Sequence, residues 1–91
     1  MNRVEFSMNE SAIKASIEQR IKSSDTIYSG WTIDITDDPE RRKREHDNPT
    51  FWSHWKADSE TIARNVEKYF LAKGMKGDTG GGKSPNYVYV F

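Results

Sequence analysis

Ile13, Ile17 and Ile21 recur every fourth residue between polar neighbours, a spacing that lines them up as one narrow apolar stripe on a helix. Ser7 followed by Glu10 fits a capping box at the start of that helix, and Ser23-Ser24 marks its end. It reads as a packing element without chemistry of its own. The period then changes. Thr26-Ile-Tyr28 and Trp31-Thr-Ile-Asp-Ile-Thr36 are rich in β-branched and aromatic residues and flank Ser29-Gly30, which predicts two strands joined by a tight turn. Asp38-Pro39 combines an N-cap carboxylate with proline at the first helical position, so a short helix over Pro39–His46 follows, and Asp47-Asn48-Pro49 stops it.

Phe51–Ala57 alternates, with Phe51, Trp55 and Ala57 on one face and Trp52, His54 and Lys56 on the other, a strand with a tryptophan on each side. Asp58-Ser59-Glu60 opens the longest helix, which runs to about Lys73, closes at Gly74 and carries Ile62, Val66, Tyr69 and Phe70 as its stripe. Gly74–Ser84 is a glycine-rich connector, and the alternating tyrosines and valines of Asn86–Phe91 predict a last strand tied into the sheet. Arg3–Phe6 reads as a short strand or an extended arm. Residues 1–91 therefore form a single α+β domain, a small three- to four-stranded, mainly antiparallel sheet flanked by three helices.

Composition adds a core to this outline. Only 34% of residues are hydrophobic and 31% are charged, but three Trp, four Tyr and four Phe supply large buried areas, which a disordered chain lacks. With no cysteine there is neither a disulfide framework nor a thiolate zinc site. No apolar run approaches a membrane span or a signal core, so a cytoplasmic protein without a membrane partner is expected.

Fourteen basic and fourteen acidic residues cancel, which argues against a chain whose main task is to hold duplex DNA by charge. Charge is nevertheless concentrated locally. Arg41, Arg42, Lys43 and Arg44 form an electropositive run on the short helix. Arg42 and His46, four residues apart, project from one side of it. A guanidinium fork matches two phosphate oxygens. Glu67 sits at the border of the long helix's apolar stripe, where a carboxylate suits Mg²⁺, an ion that uses one or two carboxylates and keeps its waters. Taken singly, each feature is ordinary: an arginine-rich short helix is commonly a solvated face, and a border glutamate commonly pairs with a nearby cation.

Taken together, the run Trp31-Thr-Ile-Asp-Ile-Thr-Asp-Asp-Pro-Glu-Arg-Arg-Lys-Arg-Glu-His46 resembles the second half of the GIY-YIG endonuclease signature, and Ala63-x-x-x-Glu67 resembles that family's downstream glutamate motif. The likeness spans Trp31 to Phe70, about half of the chain. It implies a Mg²⁺-dependent nuclease acting on the phosphodiester bonds of DNA. Glu67 would hold the metal, Arg42 would neutralise charge on the phosphate, and a tyrosine or His46 would orient or deprotonate water. Asp34 stands where the family has glycine and Thr32 where it has tyrosine. The family's other tyrosine has two substitutes here, Tyr28 in a shortened first strand or Tyr89 in the last strand, as a circular permutation would place it. Arg41, Lys43, Arg44, Lys83 and Asn86 would contact nucleic acid. Without an attached binding domain, DNA binding would be weak alone or would depend on a protein partner or self-association. The alternative is a catalytically inactive module on the same scaffold that binds nucleic acid or a protein.

Gly77-Asp-Thr-Gly-Gly-Gly-Lys-Ser84 satisfies the literal P-loop pattern, but a helix precedes it and Pro85 and a strand follow. That context lacks the helix N-terminus that cradles phosphate, so no nucleotide cofactor is expected.

Overall fold

The computed structural model describes residues 6–24, 27–77 and 84–91. Its four strands are β1 (Thr32–Thr36), β2 (Ser53–Lys56), β3 (Lys76–Gly77) and β4 (Tyr87–Val90), arranged β2-β4-β1-β3. The strand formed last in the chain thus lies inside the sheet, antiparallel to both of its neighbours. Among the described residues the short pairing of Thr32 and Ile33 with Lys76 and Gly77 is parallel, as is the isolated bridge of Met8 to Ala57. The α+β class and the mainly antiparallel sheet read from the sequence both hold.

Register gives the sheet two unlike faces, because directly opposed residues of an antiparallel pair share a side. Ile33 opposes Val90 and Ile35 opposes Val88, which makes one face apolar. Asp34 and His54 both oppose Tyr89, and Thr36 and Lys56 both oppose Tyr87, which makes the other polar and aromatic. Helices α1 (Glu10–Ser23) and α3 (Glu60–Ala72) cover the apolar face. Ile13, Ile17 and Ile21 of α1 and Ala63, Val66 and Phe70 of α3 join the sheet residues in one core. Helix α2 (Pro39–Glu45) lies over the polar face. None of the helices among the described residues is long and apolar enough to cross a membrane.

Local chemistry accounts for most of the helix boundaries. Asp38 caps α2 by accepting from the Arg41 N–H at 3.1 Å, with Pro39 at the first helical position. Asp47 and Asn48 then take positive φ of 61° and 50°, a region these two residue types enter more readily than most, and the chain turns away. Ser59 caps α3 at the Ile62 N–H, and Gly74 at φ 110° ends it.

Three expectations are corrected. The cap of α1 is Asn9, whose Oδ1 accepts from the Ala12 N–H at 2.8 Å, and not Ser7. Met8 is held in an extended bridge to Ala57, through Met8 N to Lys56 O and Asp58 N to Met8 O, so the helix cannot begin before Asn9. Second, there is no hairpin about Ser29-Gly30 among the described residues. Tyr28–Gly30 is a 3₁₀ turn, closed by Gly30 N to Ile27 O and Trp31 N to Tyr28 O. Both sides of β1 are taken, by β4 and β3, which leaves no place for an upstream partner. Third, the strand read as Phe51–Ala57 is shorter, and Phe51 is 69% exposed in the turn before it. Arg3–Glu5, Thr26 and most of the glycine-rich connector lie outside the described residues. Within that connector, read as a loop, Lys76–Gly77 form β3.

Candidate functional site

The polar face of the sheet brings together residues far apart in sequence. Asp34 on β1 and Tyr89 on β4 are direct partners, buried to 2% and 0% exposure. The Tyr89 hydroxyl donates to Asp34 Oδ2 at 3.2 Å. From α2 above, Arg42 Nε donates to the same hydroxyl oxygen at 3.3 Å, while Arg42 Nη2 stands 3.8 Å from Asp34 Oδ2. His46 Nε2 lies 3.4 Å from both the Tyr89 hydroxyl and Arg42 Nη2. A phenol has one proton, which goes to Asp34. His46 therefore donates to the phenol oxygen when Nε2 is protonated and accepts from Arg42 when it is bare.

The spacing of α2 sets this arrangement. Its capped start fixes the helix at the end of β1, and four residues separate Arg42 from His46, so both side chains point down at Tyr89. Arg42 also reaches Glu45 at 3.2 Å, which leaves its outer edge facing solvent at 14% side-chain exposure. Aromatic packing closes the other side. Trp52 stacks on Tyr89 with ring centroids 4.4 Å apart and planes at 15°, and its indole N–H donates to His54 Nδ1 at 3.0 Å. Phe91 stacks beside Trp52 at 5.7 Å and lies 4.7 Å from the His46 ring.

Glu67 of α3 completes the cluster from a third direction. Its pKa is pushed up to about 7 by burial first, then by a hydrogen bond with Asp34 and by the charge of that carboxylate; Arg64 and Lys68 act weakly the other way. Asp34 Oδ2 already accepts from Tyr89 and faces Arg42, so Glu67 is the member of the pair that carries the shared proton. Two carboxyls in contact, one of them reluctant to ionise, are a donor set that a hard divalent cation would relieve. Among the described residues no group of three or more such donors is assembled, so a cation here would be held by Glu67 with Asp34 and would retain several waters.

The residues singled out from the sequence divide clearly. Arg42, His46, Tyr89 and Glu67 meet at one place. Tyr28 does not: its ring packs on Phe70 at 6.1 Å, on the core side. Of the basic residues, Arg41 is held by Asp37 at 2.9 Å and Glu45 at 3.7 Å, Lys43 is half-buried and Arg44 is exposed. Asn86 is half-buried, and its carbonyl accepts from the Ala57 N–H at 2.7 Å. Lys83 lies outside the described residues, as does most of the P-loop-like stretch, which β4 follows where a P-loop needs a helix. Asp34, Trp52 and Phe91 were not expected as members of the site. The signal for Asp34 was there, a lone carboxylate between two isoleucines, but its partner could be named only once β4 was known to pair with β1.

Family models, curated proteins and solved structures were all compared with the chain, and none matches it.

Proposed function

We propose that this chain is a small GIY-YIG-like nuclease that hydrolyses phosphodiester bonds of DNA with a divalent metal. One observation carries the reading. A tyrosine hydroxyl, an arginine, a histidine and a pair of carboxyls contributed by β1, α2, α3 and β4 converge on a single point. The outer edge of Arg42 takes the non-bridging oxygens of the phosphate and neutralises the charge that develops there. With its proton directed to Asp34, Tyr89 presents an oxygen lone pair that orients the attacking water, and His46 with Nε2 bare takes the proton the water loses as its oxygen bonds to phosphorus, returning it to the leaving oxygen as the P–O bond breaks. A divalent cation such as Mg²⁺, held by Glu67 with Asp34, would supply Lewis-acid stabilisation of the leaving oxygen. Arg44 and the upper side of α2 give the strand a basic approach.

A second reading has an observation of its own. Tyr89 is sealed beneath Trp52, and Arg42 is already engaged by Asp34, Glu45 and Tyr89. A cluster satisfied in this way suits a catalytically inactive module that binds nucleic acid or a protein through its surface. Plasmid nicking with Mg²⁺ separates the two. The nuclease reading expects wild type to nick and Arg42→Ala and Glu67→Ala to fall by about a hundredfold or more. Equal activity in all three sinks it. Absence of nicking together with salt-dependent gel shift of the same DNA selects the binding module.

A further inference from the structure

A concavity lies along the aromatic edge of the sheet beside α1. A groove of about 780 Å³ runs between α1 and the edge strand β2. That volume lies within the range of small-ligand pockets. Its helical wall is polar, with Ser16, Gln19, Arg20 and Ser23, and its sheet wall is aromatic, with Trp31, Trp55, Phe51 and Phe91. Two donors at this groove, Trp31 Nε1 and Arg20 Nε, are shut off from solvent and have no hydrogen-bond partner among the described residues. Trp31 is 6% exposed, and the Arg20 guanidinium stands 5.8 Å above its ring. Buried donors without acceptors are rare in folded proteins because each forfeits its hydration for nothing in return. Such donors call for a ligand rich in acceptors, and the flat walls call for a flat one.

We propose that this groove is a subsite for one unpaired nucleotide of a nucleic-acid strand. Its base stacks against Trp55 and the exposed ring of Phe51, and a change of the Arg20 rotamer uncovers Arg20 and Trp31 to its phosphate or base carbonyls. The groove and the Arg42 cluster share a wall. Phe91 lines the groove on one side and on the other lies against Trp52 and His46. A strand crossing the β2 edge therefore places a phosphate near Arg42 and a neighbouring base in the groove. The choice of a nucleotide rests on the reading of the Arg42 cluster as a phosphodiester site. It also requires an unpaired base beside the scissile phosphate, as transient openings in a supercoiled plasmid supply, because bases within a duplex are stacked on each other and cannot reach such a wall.

The test is fluorescence anisotropy of a short labelled oligothymidylate and of a labelled blunt duplex with the full chain, in EDTA so that nothing is cleaved. The single strand is expected to bind more tightly than the duplex. Phe51→Ser, Arg20→Gln and Trp55→Ala are each expected to weaken it by about tenfold, the usual worth of one base–aromatic contact. Phe51 is exposed and Arg20 lies on a helix surface, so unchanged thermal melting of those two variants separates lost binding from lost folding. Equal oligothymidylate binding by wild type, Phe51→Ser and Arg20→Gln overturns the proposal, as does equal binding of duplex and single strand. So does a concentration-dependent dimer, seen by sedimentation, that Phe51→Ser abolishes, since the groove would then seat a second copy. A chain that binds in this pattern but never nicks plasmid retains the subsite and loses the nuclease reading. A chain that nicks while the groove variants bind like wild type does the reverse.

Discussion

Strands β1 and β4 present Ile33, Ile35, Val88 and Val90 to α1 and α3 on one face, and Asp34, Thr36, Tyr87 and Tyr89 on the other, where Asp34 and Tyr89 meet α2. The first set interlocks by shape alone, and any apolar group of similar volume would serve. The second depends on direction: Tyr89 donates to Asp34, Arg42 donates to Tyr89, and His46 stands within reach of both. The same backbone thus supports a face that resists change through volume and a face that resists it through hydrogen bonding. Only the second holds ionisable groups in a confined space, and there burial and the neighbouring Asp34 raise the pKa of Glu67. The apolar face secures the strands, and that allows the polar face to keep a carboxyl pair that does not favour folding.

The contrast breaks most visibly at Phe70, which is fully buried in the apolar core. Phe70→Ala is expected to lower unfolding stability by about 3–5 kcal/mol, read as a fall in the urea midpoint. On the polar face, Tyr89→Phe keeps the ring and its stack but removes the hydroxyl that Asp34 and Arg42 share. A loss of about 1–3 kcal/mol is expected, with nicking lost along with it. Should Tyr89→Phe prove neutral, the hydrogen-bonded triangle is not what organises that face.

Glu67→Gln sharpens the contrast through pH. The folded carboxyl titrates at about 7 against an ordinary 4.5, so the folded chain binds this proton more tightly than the unfolded one. Its contribution to stability is full below pH about 4.5 and is lost as pH rises through about 7. Glutamine keeps a donor toward Asp34 and cannot ionise. Melting of Glu67→Gln should match wild type near pH 4.5 and exceed it above pH 7; a gap that does not widen with pH would refute the assignment. The smallest effect belongs to the exposed Arg44 of α2. Arg44→Ala should move stability by no more than about 0.5 kcal/mol, yet lower the salt dependence of DNA binding by about one phosphate contact.

Much of this was legible from local signals. Asp38-Pro39, Ser59 and Gly74 announce helix ends through the chemistry of caps, and those act within a few residues. The four-residue interval from Arg42 to His46 survives intact because a helix converts spacing into direction. Pairing between strands is not local. That Tyr89 and not Tyr28 joins the site follows from β4 pairing with β1, a contact spanning 55 residues that no nearby residue encodes. For the same reason Asp34 read as a misfit in place of glycine, although it is the acceptor around which Tyr89 and Arg42 are arranged. The two-residue β3 is too short to leave any periodic trace.

The position of β4 between β1 and β2 has a kinetic consequence. Neither neighbour can join the other directly, so until residues 87–90 arrive, among the described residues β1 has only the two-residue β3 beside it and β2 only the single bridge from Met8 at its end. Helices α1 and α3 can form and touch beforehand, but every long ladder must wait for ring closure over tens of residues. Such topology slows folding and leaves β1 and β2 as open edges in the meantime. During synthesis the nascent chain therefore carries an unfinished sheet until the Tyr-Val-Tyr-Val segment emerges. Chains cut before Tyr87 are expected to collapse around the helices without cooperative unfolding and to aggregate through those two edges.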